Sequence, residues 1–218
     1  PSGTVTAKGK GAGFLAEPQK LDQFLDQIFS KLDMKISIKT RIGTHYEEDW
    51  EYLLAIYEKY PIHELIIHPR IQTDMYRGVP RLGAYEKAVN RLKMPLCYNG
   101  NLFSAADYKR ITERFPDTFC FMYGRGLITN PGLVTEIREG IRPNKKTVRE
   151  FHDCLFEEYR ELLSGERNVL FRMKELWSYM AVNFTNYEKY AKKIKKSQHL
   201  SEYSSVVSSL FAEQDLID

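Results

Sequence analysis

The sequence has few cysteines and lacks the apolar segments that mark membrane or exported proteins. Cys97, Cys120 and Cys154 stand far apart, without the spacing of a zinc site, and their odd number argues against a disulfide framework. No run of about 18 apolar residues occurs, so no transmembrane helix is predicted. The opening residues lack the apolar core of a signal peptide. We therefore predict a cytoplasmic protein with no membrane segment and no metal site.

The composition is that of a folded, mildly basic protein. Of the 218 residues, 43% are hydrophobic and 28% are charged, and the formal net charge is +3. Residues 138–200 carry 14 basic against 9 acidic residues. The densest basic run comprises Lys189, Lys192, Lys193, Lys195 and Lys196. A solvated helix face explains such a run, and a contact with nucleic acid is the alternative.

Strand and helix signals alternate through the first 140 residues. Helical spacing of apolar residues predicts a helix over 20–32, and short apolar runs predict strands over 35–39, 64–68, 95–99 and 118–123. This alternation indicates a parallel sheet built from βαβ units. Asn130 and Pro131 are expected to begin a helix that ends near Gly140. We place an α/β domain over residues 1–140.

Beyond Pro143 the apolar spacing is helical throughout, which predicts an all-α bundle over residues 141–218. The cysteines fit these elements as packing residues. Cys97 and Cys120 are expected to be buried in strands, and Cys154 is expected at a core position of a helix.

Polar residues stand where each predicted strand ends: Lys39-Thr-Arg41, His68-Pro-Arg70, Asn99-Gly100-Asn101 and Gly124-Arg125-Gly126. Each motif alone fits a solvated strand end or an ordinary turn. The carboxyl ends of parallel strands, however, are where such folds bind ligands. Together the four motifs predict a site for a phosphorylated, ring-bearing cofactor, with cations and backbone N–H groups at Gly100 and Gly124 for the phosphate.

In this order the motifs resemble those of the tRNA-dihydrouridine synthases, FMN-dependent (β/α)8 enzymes with a C-terminal helical domain. The segment from Ile38 to Gly43 resembles the fifth-strand motif, and His68-Pro-Arg70 with Gln72, Tyr76 and Gly78 resembles the sixth. The segments 99–101 and 122–131 resemble the seventh and eighth, and residues 1–15 resemble the stretch that follows the catalytic cysteine. The resemblance implies the C-terminal half, strands 5 to 8, of a TIM barrel, followed by an all-α helical bundle.

The resemblance also implies a function, which is the reduction of uridine to 5,6-dihydrouridine in tRNA with FMN as cofactor and NADPH as reductant. Lys39 and His68 would contact the flavin ring. Asn99, Gly100, Asn101, Gly124 and Arg125 would hold the ribityl phosphate region. Arg41 and Arg70 would contact the substrate, and the lysine run from Lys189 to Lys196 would contact RNA.

The same resemblance places the catalytic cysteine immediately before Pro1, so no catalytic residue is predicted in this chain. We therefore expect the 218 residues to be an inactive fragment of a complete enzyme. Two alternatives stay open. One is an FMN-dependent TIM-barrel oxidoreductase of the dihydroorotate dehydrogenase type, which would not need the basic helical tail. The other is a non-catalytic RNA-binding protein that uses the half barrel as a platform. The oligomeric state is open.

Overall fold

The computed structural model describes residues 2–118 and 120–217, and it divides into two compact units. The first unit comprises Pro1–Asn101 and Lys109–Tyr123, and the second comprises Leu102–Tyr108 and Gly124–Asp218. The N-terminal motif predicted to begin at Pro1 starts with a residue outside the described part. The domain boundary inferred from composition, between residues 140 and 141, stays a prediction.

The first unit is an α/β structure with a parallel sheet. Its elements are α1 (Gly3–Thr6), a 3-10 segment (Gly11–Ala16), α2 (Pro18–Lys31), β1 (Ser37–Arg41), α3 (Asp49–Tyr57), β2 (Glu64–His68), a 3-10 turn (Gln72–Asp74), α4 (Leu82–Arg91), β3 (Leu96–Tyr98) and β4 (Cys120–Phe121). Helix α5 (Ala105–Arg114) crosses the boundary between the units. The four strands pair in the order β1-β2-β3-β4, and every pair is parallel. The predicted parallel sheet is thus confirmed.

The strand boundaries differ from those predicted. β1 begins at Ser37 and continues to Arg41, so it includes the polar residues predicted to follow it. The fourth strand is predicted over 118–123, but β4 pairs only at Cys120 and Phe121. Phe119, within that predicted strand, lies outside the described residues. The polar motifs of β1 and β2 consequently begin inside the sheet, whereas Asn99 and Gly124 follow the ends of β3 and β4.

The core of the first unit is formed by side chains of the sheet and of α3 and α4. Trp50, Tyr57 and Tyr85 are almost fully buried. The indole Nε1 of Trp50 donates to the carbonyl of Ala84 at 2.8 Å, and the Tyr57 hydroxyl lies 2.8 Å from Thr40 Oγ1. Burial raises the pKa of Tyr57 to about 12, so the hydroxyl stays protonated. Because side chains alternate along a strand, Lys39 and Arg41 point away from the face of β1 that carries Thr40.

The second unit is built from helices. They are α6 (Arg125–Thr129), α7 (Leu133–Glu139), α8 (Lys145–Leu162), α9 (Glu166–Met180), a 3-10 turn (Ala181–Asn183), α10 (Tyr187–Lys196) and α11 (Leu200–Glu213). A single isolated bridge joins Phe184 and Leu216 among the residues with a described conformation. None of the helices in the described part of the chain is long and apolar enough to cross a membrane.

Two predictions about this unit are wrong. The helix expected to begin at Asn130 and Pro131 begins at Leu133, because Asn130 ends α6 and its Oδ1 accepts from the Gly132 N–H at 3.0 Å. Its predicted end is confirmed, since Gly140 closes α7 with a left-handed φ of 71°. Cys154 is exposed rather than part of the core, because the buried positions of α8 are Val148 and His152.

A hydrogen-bonded group of three side chains lies in the core of the second unit. Trp177 Nε1 donates to the Tyr203 hydroxyl at 2.7 Å, and that hydroxyl lies 2.6 Å from His152 Nε2. The Trp177 N–H only donates, so the hydroxyl accepts from it. Because the Asp153 carboxylate beside Nδ1 only accepts, Nε2 of the neutral ring accepts from the hydroxyl. The remaining ring nitrogen, Nδ1, then donates to Asp153 at 2.7 Å. Burial lowers the pKa of His152, which keeps the ring neutral.

Candidate functional site

The first unit brings half of the predicted site residues together at the carboxyl ends of β1, β2 and β3. Arg41 is paired in register with His68, and the Asn99 N–H donates to the Ile67 carbonyl at 2.9 Å. Seven of the predicted residues belong to this unit: Lys39, Arg41, His68, Arg70, Asn99, Gly100 and Asn101. Gly124 and Arg125 belong to the second unit.

Arg70 connects two strand ends to the loop that follows β2. It is completely buried. Nη1 lies 3.2 Å from Asn101 Oδ1 and 3.3 Å from His68 Nε2. Because a guanidinium only donates, His68 Nε2 is the acceptor of this contact, which places the proton of a neutral ring on Nδ1. Arg70 therefore fixes the orientation of both predicted cofactor contacts.

The same guanidinium holds the loop itself. Nη2 donates to the Gly78 carbonyl at 2.6 Å, and Nε donates to the Arg77 carbonyl at 3.2 Å. Gly78 has a φ of 64°, a conformation that glycine adopts without steric cost. One buried cation thus sets the path of the chain at the far end of the loop.

Arg41 holds the near end of this loop from β1. Its Nη1 donates to the Ile71 carbonyl at 2.7 Å and its Nη2 to the Met75 carbonyl at 2.8 Å. Met75 has a φ of 53°, which is uncommon for a residue other than glycine and is kept only where the surroundings enforce it. The Arg41 guanidinium also lies 5.7 Å from the ring centroid of Tyr76. Contact of Arg41 and Arg70 with substrate stays a prediction, and in this structure both order the loop.

Lys39 lies beside a cleft at the edge of β1. The cleft has a volume of about 330 Å³ and is lined by Val5, Phe14, Leu21, Ile38 and Arg41 as well as Lys39. Desolvation by the surrounding protein, followed by the charge of Arg41, holds the pKa of Lys39 below its ordinary value. Of the residues predicted to bind the cofactor in this unit, Lys39 lines the cleft, whereas His68, Asn99, Gly100 and Asn101 lie elsewhere.

The third strand end is fixed by contacts within the protein. Asn99 Nδ2 donates to the Met122 carbonyl at 2.7 Å, which ties the end of β3 to the residue after β4. A Cβ at Gly100 would lie 2.1 Å from the Tyr98 hydroxyl oxygen, so a larger residue would displace that ring. The packing of Tyr98 therefore accounts for the glycine, and the predicted use of its N–H for a phosphate stays a prediction.

Within the second unit, Gly124 and Arg125 stand at the start of α6. Gly124 is exposed, and a Cβ there would meet nothing within 4 Å. Arg125 Cζ lies 5.3 Å from the ring centroid of Phe103. A Cβ at the buried Gly126 would lie 1.8 Å from the Leu102 carbonyl oxygen, so the main chains approach closely there. The roles predicted for Gly124 and Arg125 in holding a cofactor stay predictions.

The basic run occupies one solvent-facing side of α10. Lys189, Lys192, Lys193, Lys195 and Lys196 are all exposed, whereas Tyr190 and Ile194 are buried in the core of the unit. Over the ranges that the structure describes, none of the five lysines pairs with a carboxylate. Together they give this face the positive charge that attracts phosphate groups.

Sequence reasoning missed a cluster formed by Glu64, Cys97 and Cys120. The two cysteines are paired in register between β3 and β4, and the side-chain ligand atoms of the three residues lie within 4.8 Å of one another. Cys97 and Cys120 were predicted as two separate packing residues because they are far apart in the sequence. The signal that could have joined them is their common position, two residues before Asn99 and Met122 at neighbouring strand ends.

A parallel α/β sheet with polar side chains at its carboxyl ends defines a class of ligand-binding proteins. Comparison with known proteins specifies the family, because the model of the family described as dihydrouridine synthase (Dus) matches residues 1–214. The chain belongs to the dihydrouridine synthase family.

Named relatives are similar over much of the chain at low identity. A probable tRNA-dihydrouridine synthase 1 of Synechocystis sp. is 25% identical over 230 residues, which cover 100% of this chain and 60% of the relative. tRNA-dihydrouridine synthase B of Vibrio vulnificus is 24% identical, over 78% of this chain and 52% of the relative. The tRNA-dihydrouridine(16) synthase of Shewanella oneidensis is 26% identical, over 83% of this chain and 58% of the relative. The chain thus spans about half the length of these relatives.

Proposed function

We propose that this protein carries out the flavin-dependent reduction of uridine to 5,6-dihydrouridine in tRNA. The observation that carries the proposal is the family match over residues 1–214, on a chain whose first unit gathers polar side chains at the carboxyl ends of a parallel sheet. The proposal includes FMN as cofactor, NADPH as reductant, tRNA as partner and a cytoplasmic location. It further takes β1 to β4 as strands 5 to 8 of a (β/α)8 barrel, followed by a helical domain.

The donor set of the first unit fits a flavin. Lys39 supplies a cation near the carboxyl end of β1. His68, Asn99 and Asn101 add hydrogen-bonding groups at the neighbouring strand ends. In this proposal Lys39 and His68 hold the ring, and Asn99, Gly100, Asn101, Gly124 and Arg125 hold the ribityl phosphate region. When bound, FMN supplies the reducing equivalents for the uracil double bond.

Lys39 contributes a positive charge to the proposed site, and Arg41 and Arg70 hold the loop after β2 in place. Partial desolvation and, after it, the charge of Arg41 lower the pKa of Lys39, whose side chain still reaches solvent. In this proposal its ammonium stabilises negative charge at the edge of a bound ring. Arg70 orients His68 and Asn101 while it also fixes the loop after β2. Arg41 fixes the near end of the same loop. The two arginines therefore shape the rim of the site before substrate binds.

Recognition of tRNA is proposed for the exposed lysine face of α10. Lysine contacts to phosphates supply affinity without reading the sequence, and they weaken as salt rises. The target uracil must leave its stack to meet the ring, so the enzyme needs a hold on the surrounding RNA as well as on the base. The five exposed lysines provide such a hold.

The test is the flavin content of the protein purified from its native source, together with reduction of uridine in unmodified tRNA. We expect bound FMN and NADPH-dependent formation of dihydrouridine. Lys39→Met should weaken FMN binding at least tenfold, whereas Lys35→Met, which removes an equally exposed lysine just before β1, should leave it unchanged. Absence of flavin, or equal affinity in the two variants, would contradict the proposal.

The exposed lysine face also fits the second candidate, an RNA-binding protein without catalysis. That function predicts salt-dependent tRNA binding by a protein that binds no flavin. Under this second function, replacement of Lys192, Lys193 and Lys196 by Gln should abolish tRNA binding, which would be the protein's one measurable activity. If flavin is bound and the same replacement raises KM for tRNA, the first candidate holds.

A further inference from the structure

The cluster of Glu64, Cys97 and Cys120 lies on one face of the sheet. Cys97 pairs with Cys120 on one side and with Ile66 on the other. Glu64 precedes Ile66 by two residues on β2, so its side chain points to the same face as those of the cysteines. Three neighbouring strands therefore each contribute one side chain with a metal-binding atom, and these atoms lie within 4.8 Å of one another.

The distances suit a small metal ion held by sulfur and oxygen. Zinc binds thiolate sulfur at about 2.3 Å and carboxylate oxygen at about 2.0–2.2 Å, so tetrahedral geometry places two sulfur ligands about 3.8 Å apart. Starting from separations of at most 4.8 Å, small side-chain rotations suffice to reach that geometry. Cys97 is buried, while Glu64 and Cys120 are half-buried and give an ion a path from solvent.

We propose that Glu64, Cys97 and Cys120 bind a divalent cation with affinity for sulfur, such as Zn²⁺, with a fourth position open to water. The bound ion would link β2, β3 and β4. This link matters most for β4, which pairs with β3 at only two residues. The proposal is argued from these three side chains and does not require flavin binding or uridine reduction, although Lys39 lies close enough to act on Cys97.

The protonation of the cluster determines how the ion binds. Without metal, burial raises the pKa values of Cys97 and Cys120, so both are thiols at neutral pH. The Cys120 thiol is hydrogen-bonded to the Glu64 carboxylate, which raises its pKa further. The other ionisable groups that act on the pair are Lys39 on β1, which favours the Cys97 thiolate, and the Tyr85 hydroxyl on α4. Metal binding must therefore release two protons and strengthen as pH rises.

The test is titration of the reduced 218-residue chain with Zn²⁺, and with Cd²⁺, whose thiolate complexes absorb in the ultraviolet. We expect one ion per chain, a band from two thiolates, and release of two protons. Cys97→Ser and Cys120→Ser should each weaken binding at least tenfold, and Glu64→Gln should weaken it less. The matched control is Cys154→Ser, which removes an exposed cysteine on α8 and should change nothing.

Circular dichroism of each variant distinguishes loss of the site from loss of the fold. The cadmium band of the unmodified chain gives a result that needs no variant. A chain without saturable binding, a band from fewer than two thiolates, or binding that survives Cys97→Ser would overturn the proposal. In those cases the cysteines would be small packing residues with a hydrogen bond to Glu64.

Discussion

Replacing Arg70 by Met should release the far end of the loop that follows β2, at Arg77 and Gly78, while leaving the sheet folded. The buried guanidinium donates to the carbonyls of Arg77 and Gly78, and methionine keeps much of its volume without the donors. A hydrogen bond from a charged donor contributes about 1.5–3 kcal/mol. The two carbonyls belong to exposed residues and regain water when released. We therefore expect the two lost hydrogen bonds together to cost about 3 kcal/mol, the lower end of their combined range. A free-energy change of that size raises the equilibrium constant for local opening roughly a hundredfold.

Amide hydrogen exchange measured by mass spectrometry on peptides covering residues 71–78 tests this value. Exchange at residues 76–78 should accelerate by about a hundredfold. Residues 71–75, where Arg41 still binds the carbonyls of Ile71 and Met75, and the peptides of β1 and β2 should stay protected. The control is Arg77→Met, which removes an exposed side chain but retains the carbonyl that Arg70 contacts. Equal loop exchange in Arg70→Met and Arg77→Met would refute the conclusion that Arg70 orders the loop.

Three further predictions concern stability. Tyr203→Phe leaves the buried Trp177 N–H and a ring nitrogen of His152 without their shared partner, so urea denaturation followed by fluorescence should show a loss of about 2–4 kcal/mol. Burial lowers the pKa of His152 in the folded state, so stability should be full above about pH 6.5 and should fall on acidification as the unfolded state takes up the proton first. His152→Gln should flatten the dependence of stability on pH. An identical slope of stability against pH in both proteins would contradict the assignment of this dependence to His152. Gly126→Ala creates the main-chain clash described above and should lower Tm, whereas Gly83→Ala on α4, where a Cβ meets nothing within 4 Å, should raise stability by about 0.4–1 kcal/mol.

The parallel sheet was predictable because its signals are local and repeated. Each strand is a short apolar run followed by a polar motif, and alternation with helices implies parallel pairing. Since the strands are parallel and paired in sequence order, the strand-end motifs had to meet at one edge. The gathering of Arg41, His68 and Asn99 could therefore be predicted without knowledge of any contact.

The uses of individual side chains depend on tertiary contacts and could not be predicted in this way. Arg41 and Arg70 read as free cations in the sequence, but their hydrogen-bond partners lie in a loop up to 34 residues away. The start of α7 was predicted wrongly because the Asn130 side chain accepts a hydrogen bond from the Gly132 N–H in a turn instead of capping the helix. Cys154 was misplaced since several positions of α8 have similar apolar neighbours, and only packing decides which of them is buried.

The measurement that tests the central claim most directly is a position-resolved map of dihydrouridine in tRNA from cells of the source organism. The proposed function predicts that deletion of the gene removes dihydrouridine from at least one tRNA position. Lys39→Met at the native locus should reproduce that loss, and Lys35→Met should retain the modification. An unchanged map after deletion would contradict the proposed function.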